Sequence, residues 1–224
     1  AISLSNCRVL AAMSGDGAGG VPALKLSYFR VRGRAELTRL VFAAGAIEYE
    51  DERVSLEEQQ RRKAAGELPF GQFPTLTVGG RTYAQSYSIA KYAAKLAGLL
   101  PSEPLDALAI ESIVDTTDDV RSKFVPIRYM PISPSERLAK YVDFFGKTLP
   151  PLLANFERLC SNASEEGYLV GASLTLADLA VFNMCGYLTF PSCEALAASE
   201  EHRAMSAACL DAFPKLKAHS ERIA

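Results

Sequence analysis

The stretch SYFRVRGRAELTRL, residues 27–40, decides how this chain is read. Tyr28 closes an apolar, β-prone run. A loop with three arginines (Arg30, Arg32, Arg34) and Gly33 follows, and then apolar residues recur at helical spacing. The phenol therefore stands at the mouth of a strand–loop–helix junction, with cationic side chains behind it. Such a junction gathers unpaired backbone N–H groups and side chains into one place, which is where sites form on alternating strand–helix folds.

Outward from this junction, strand and helix alternate. LKLSYF (24–29) reads as a strand and RAELTRLVFAAG (34–45) as a helix ending at Gly45. IEYEDERV (47–54) alternates like a strand, and SLEEQQRRKAAG (55–66) is a polar helix with Ser55 as N-cap and Glu58 completing a capping box. PTLTV (74–78), Gly79-Gly80 and RTYA (81–84) form a tight hairpin, and SYSIAKYAAKLAGLL (86–100) is a helix opened by Ser86. The order βαβαββα, parallel at first with an antiparallel edge, is that of a thioredoxin-like α/β domain over residues 24–100.

After PSEP (101–104) the grammar changes to an all-α domain, residues 105–224. Residues 105–130 form a long helix with Ile110, Ile113, Val114 and Phe124 toward the core. Residues 133–160 form a second, which Pro150-Pro151 is expected to kink or break. TLADLAVFNMCGYL (175–188) is nearly all apolar, so it is the expected buried central helix; Thr175 and Asp178 make a capping-box variant that specifies folding and not chemistry. Residues 1–23 are left outside the fold as a flexible extension: a weak targeting remnant, or a Gly-rich linker after a start at Met13.

Composition removes several function classes. With 49% apolar residues a sizeable core forms, and a net charge of -2 with no basic run argues against a nucleic-acid binder. Five cysteines (7, 160, 185, 193, 209) without a C-x-x-C pair, and two histidines, give neither a disulfide framework nor a zinc site. They fit ordinary thiols in a reducing, cytoplasmic compartment. No apolar run reaches the ~18 residues of a membrane span.

Two further stretches join the phenol. In PFGQFPTL (69–76) Pro74 opens a strand after a loop; in thioredoxin-like folds such a proline is typically cis, leaving the backbone of Phe73 to pair with an extended peptide. Gln85-Ser86 begin the third helix, where unpaired amides and the helix dipole suit a carboxylate. Singly each has a plain reading: a strand-end tyrosine, a turn-shaping proline, a helix-capping serine. Their order and spacing are far more specific.

With LSYFRVRGRAELTRL, PFGQFPTL, YAQSYSIAKYAAK and LVGASLTLADLAV together, the chain resembles the cytosolic glutathione transferases, in particular the sigma class, which includes glutathione-dependent prostaglandin D synthases. The resemblance runs from about residue 24 to the C-terminus and implies roles position by position. Tyr28 falls at the catalytic tyrosine, and Arg34 at the arginine approaching the tyrosine and the glutathione sulfur. Phe73, beside Pro74, gives the backbone contact to the cysteinyl part; Gln85 and Ser86 hold the γ-glutamyl end. Lys63 and Gln72 line the glycine end. Asp119 falls at the acid that reaches the neighbouring subunit's glutathione in a homodimer. One departure stands out: the chain has no tryptophan, and Gln59 stands where the family often has one at the glycine end.

The resemblance implies that glutathione is the co-substrate, with no obligatory metal, and that a small hydrophobic electrophile is conjugated in a detoxifying transfer. Its pocket is assigned to Phe29 and Val31, and to Arg121, Phe124 and Val125. Two rivals remain: a prostaglandin-D-type isomerase using the same thiolate, and a non-catalytic ligand-binding or crystallin-type protein. A glutaredoxin-like reductase is disfavoured, because no cysteine lies at the first strand–helix junction. VDTTDDV (114–120) places Asp115, Asp118 and Asp119 on one helical face. That face is open to three readings: solvated, dimer-facing, or a divalent-cation site between subunits.

Overall fold

β1 (Leu24–Phe29) is the strand around which the first unit is built, with Leu24, Leu26, Ser27 and Tyr28 all buried. The computed structural model describes residues 22–189 and 200–224. Cys7, Cys193 and most of the proposed extension lie outside the described residues. The described chain divides between Pro101 and Ser102 into two compact units.

In the first unit the sheet has strand order β2-β1-β3-β4, with β2 (Glu50–Val54), β3 (Thr75–Val78) and β4 (Arg81–Ala84). β1 pairs parallel with β2 and antiparallel with β3, and β3 pairs antiparallel with β4. The hairpin turns through Gly79 (φ 54°) and Gly80 (φ 81°), the paired left-handed conformation that makes Gly-Gly a two-residue hairpin turn. α1 (Glu36–Ala44) follows a 3₁₀ turn at Gly33–Ala35, so the helix starts two residues later than its periodicity suggests. α1 packs on α3 (Ser86–Leu96) through Leu37, Val41 and Phe42 on one side and Ile89, Ala90 and Ala93 on the other. This is the thioredoxin-like arrangement expected.

α2 (Leu56–Ala64) starts as predicted, with the Ser55 hydroxyl accepting from the Glu58 N–H. The reciprocal half of the box is not made, because Arg61 and Arg62 take the Glu58 carboxylate. α3 corrects the sequence reading: Gln85, not Ser86, is its N-cap residue, at φ 77° and ψ 109°.

The described secondary structure of the second unit is helical: α4 (Pro104–Tyr129), α5 (Pro134–Asp143), α6 (Leu149–Ser161), α7 (Leu176–Thr189), α8 (Glu200–Ala208) and α9 (Pro214–Ile223). Ile110, Val114 and Phe124 are buried in α4, whereas Ile113 is half-buried. α5 and α6 do not separate at Pro150-Pro151. A π-helical turn, Phe144–Thr148, joins them, with the Leu149 N–H donating to the Phe144 carbonyl five residues back. The two prolines cannot donate to the carbonyls of Gly146 and Lys147, and the widened turn just before them absorbs that loss.

α7 is buried along most of its length and packs against α4, α8 and α9. Its Asp178, 0% exposed, accepts from the Thr175 N–H and hydroxyl and from the Leu169 N–H. α9 is tied down by the Glu157 carboxylate, which accepts from the N–H groups of Lys215 and Leu216. Among the described residues no helix is long and apolar enough to cross a membrane.

Candidate functional site

Strand register alone gathers the site. β1 ends beside the start of β3 (Ser27 opposite Thr75), and β3 starts beside the end of β4 (Thr75 opposite Ala84). Phe29 meets Val54 at the end of β2. The residues one step beyond these pairs therefore emerge at the same end of the sheet: Tyr28-Phe29, Phe73-Pro74, Gln85-Ser86, and Ser55 leading into α2. The Phe73-Pro74 peptide is cis, and Phe73 lies outside the β3 ladder, which begins at Thr75.

Tyr28 is 8% exposed, and its Oη accepts the backbone N–H of Arg34 at 3.1 Å. Gly33 makes that approach possible. A Cβ on it would lie 2.5 Å from both Cε1 and Oη of Tyr28, and its φ of 51° is itself a conformation that favours glycine. The ring lies edge-on to Phe29 at 5.2 Å, and Phe29 lies edge-on to Phe73 at 5.8 Å.

Arg39 is a residue the sequence reading passed over. It is buried on α1 with its guanidinium carbon 5.9 Å from the centre of the Tyr28 ring. It donates to the carbonyls of Val31 and Arg32 and to the carboxylates of Glu36 and Asp51. A cation on the buried face of an amphipathic helix was the signal that could have found it. Arg39 holds the loop that carries Gly33 and Arg34.

At the α2 side, Arg62 donates to Glu52 through both Nη atoms and to Glu58 through Nε, and lies over the Phe73 ring at 5.8 Å. These Arg62 bonds, with help from Ser27 and Lys25, hold the Glu52 carboxyl down at about 2. The Lys63 stem runs across Gly71, so the end of α2 and the loop before β3 sit together. Gln59 is half-buried, and Gln72 is exposed. Gln85 holds a positive φ without being glycine, a strained conformation of the kind that clusters at ligand clamps.

In the second unit Phe124 is buried within a cluster of Tyr141, Phe144, Phe145 and Tyr187, at centroid distances of 4.9 to 5.8 Å. Arg121 lies over Tyr187 at 4.6 Å, and Val125 is half-buried. Asp115 and Asp119 are exposed, and Asp118 is half-buried. Among the described residues no three His, Cys, Asp or Glu side chains converge to hold a metal ion. Cys160, Cys185 and Cys209 are unbridged thiols that burial pushes up to about 12, far from nucleophilic at neutral pH.

A thioredoxin-like unit with a tyrosine at the end of β1, followed in sequence by a helical unit, is the arrangement that the resemblance to glutathione-dependent transferases implies. The chain belongs to the glutathione S-transferase family: the family's N-terminal domain matches residues 24–95, and its C-terminal domain residues 118–224. It is 34% identical over 204 residues to probable glutathione S-transferase 7 of Caenorhabditis elegans, covering 89% of each chain. It is 41% identical over 158 residues to the hematopoietic prostaglandin D synthase of Homo sapiens, 70% of this chain and 75% of that one. The structure of prostaglandin synthase D of Nilaparvata lugens matches with a TM-score of 0.74 at 25% identity, over 90% of this chain and 92% of that one. The protein is accordingly a transferase with glutathione as its co-substrate.

Proposed function

We propose that Tyr28 activates the glutathione thiol by donating its phenolic hydrogen to the sulfur. The supporting observation is that Tyr28 Oη already accepts from the Arg34 N–H, so its own O–H is the group left to donate. A thiol of pKa near 9 is mostly protonated at neutral pH, and lowering it by ~2 units takes roughly 2.7 kcal/mol. One hydrogen bond to a charged acceptor supplies about 1.5–3 kcal/mol. One protonated phenol therefore supplies about what is needed, with Arg34 adding positive potential, and it acts as a donor to the anion and not as a base.

In this reading Phe73, beside Pro74, pairs its backbone with the cysteinyl part of glutathione, and Gln85 and Ser86 take the γ-glutamyl end. Lys63 and Gln72 take the glycine end, with Gln59 donating in place of an indole. Arg34 contributes charge near the sulfur, and Phe29 and Val31 face the electrophile. The enzyme is read as a sigma-class, cytoplasmic homodimer in which Asp119 serves the neighbouring subunit's glutathione, and whose conjugation of hydrophobic electrophiles is detoxifying.

The test is an ultraviolet titration of bound glutathione in wild type and Tyr28→Phe. Thiolate near neutral pH in the wild type and not in the variant supports the mechanism; glutathione bound without thiolate in either protein overturns it. The 41% identity to a prostaglandin D synthase favours one second reading, isomerisation by the same thiolate, which product analysis with a prostaglandin endoperoxide separates from conjugation.

A further inference from the structure

Each side chain of α2 is exposed or half-buried, Leu56 being 68% exposed. The half-buried ones, Glu58, Gln59 and Arg62, stand at i, i+1 and i+4 and so share one inward stripe, where a surface helix ordinarily carries apolar residues. With a polar stripe turned inward, burial does little to fix where this short helix sits.

The helix is bolted through Arg62 instead. Nη1 and Nη2 of Arg62 donate to the two carboxylate oxygens of Glu52 on β2, each at 2.8 Å, and Nε donates to Glu58 at 2.6 Å. Glu52 is itself anchored in the sheet: it accepts from the Ser27 hydroxyl at 2.6 Å and pairs with Lys25 at 3.0 Å. Ser27 lies opposite Glu52 on β1, one residue before Tyr28. The same guanidinium lies 5.8 Å from the centre of the Phe73 ring. One side chain thus joins α2, β2 and the loop before β3. Arg61 pairs with Glu58 and Glu67, within the helix and just past its end, so it stiffens α2 without tying it to the sheet. A single-point surface ion pair would set little, but a two-pronged fork on a carboxylate already held by two other donors sets distance and angle together.

We propose that Arg62 is a positioning residue for glutathione, holding α2 where its side chains meet the glycine end. The proposal rests on the reading that Gln59 and Lys63, three residues before Arg62 and one after it, take that end. A glutamine amide is a more flexible donor than an indole, so its aim depends more on where the backbone of α2 is held. The hydrogen bond that orients Tyr28 comes from Arg34, on the loop that Arg39 holds. Arg62 therefore governs affinity for the glycyl carboxylate and leaves thiol ionisation alone.

The experiment is calorimetric titration of the full chain with glutathione and with γ-glutamylcysteine, the same thiol without its glycine. Wild type is expected to prefer glutathione at least tenfold. Arg62→Met is expected to weaken glutathione at least tenfold and γ-glutamylcysteine less than threefold, so that the preference collapses. A guanidinium that only stabilised the fold would weaken both alike. Glu52→Gln should reproduce the loss, and the double variant should bind glutathione within threefold of the weaker single variant, since both break one bolt. The thiolate titration of bound glutathione should keep its midpoint in Arg62→Met. A wild type without preference for glutathione overturns the glycine-end reading and the proposal with it. A preference that the wild type shows and Arg62→Met retains overturns the proposal alone, as do losses that multiply in the double variant or a shifted thiolate midpoint. Should Arg62→Met not fold, Glu52→Gln decides by the same comparison of the two thiols.

Discussion

The two units bury arginine in opposite ways. In the first, Arg39 meets two carboxylates and two carbonyls, and Arg62 meets two carboxylates. In the second, Arg121 and Arg128 meet aromatic rings instead of carboxylates; a buried unpartnered nitrogen is common to both units, Nη2 of Arg39 as well as Nε of Arg121 and Nη1 of Arg128. A paired buried cation is a strut, because removing it leaves its partners charged and alone; one with no carboxylate beside it is a cost to the fold that its ring contacts offset only in part. The first unit's arginines hold its loop and α2 in place around Tyr28 and Phe73, while the second unit's structural charge is instead Asp178, met by N–H and O–H donors.

The sharpest way to test that contrast is Asp178→Ala. It strips acceptors from three buried donors in α7's cap, and should cost about 3–5 kcal/mol in denaturant unfolding. Arg39→Met should follow at about 2–3 kcal/mol, softened because Asp51 retains Arg53. It should also lower turnover more than it raises the glutathione KM, as the loop carrying Arg34 loosens. Arg128→Met, by contrast, should cost nothing; a loss comparable to Arg39→Met would erase the distinction between the units.

Acid should separate them as well. Glu52, held at about 2 against an ordinary 4.5, contributes stability that is complete above pH 4.5 and is lost as pH falls toward 2. Its share is about 2 kcal/mol after solvent screening. The melting difference between wild type and Glu52→Gln should therefore shrink between pH 6 and pH 3. His219 in α9 behaves differently: burial pushes it below its ordinary 6.5, against the pull of Asp178 and with the help of Arg222. A base depressed on folding stabilises the fold above its unfolded value, and that share fades as pH falls below 6.5. At pH 5.5 hydrogen exchange should quicken in α9 before it does in β2 and α2, the smallest of these effects.

Much of this architecture was readable because its determinants are local. Period-two and helical patterns, the Gly-Gly turn and the Ser55 cap each act within a few residues. Tyr28, Pro74 and Gln85 could be set together because strand ends converge wherever strands pair in register. What escaped were features fixed by distant partners. Arg39 shows in the pattern only as a cation on the buried face of α1; its partners, Asp51 and the carbonyls of Val31 and Arg32, lie outside the helix and cannot be read from it. The π turn at Phe144–Thr148 reflects a compromise between two prolines and continuous helix packing, and periodicity cannot distinguish it from a break. The orphaned nitrogens of Arg121 and Arg128 follow from what α7 sets opposite them, and no window of residues on α4 contains that information.

The hydrogen bond into Tyr28 comes from the main chain of Arg34, with consequences for how this enzyme can vary. Any residue except proline at position 34 keeps the donor, so alanine scanning would probe the guanidinium and pass the amide by unseen. The phenol's orientation is in that sense shielded from side-chain drift. Evolution or an engineer could retune the charge at position 34 without disturbing the clamp, and an amide-to-ester replacement there would remove the clamp while sparing the charge.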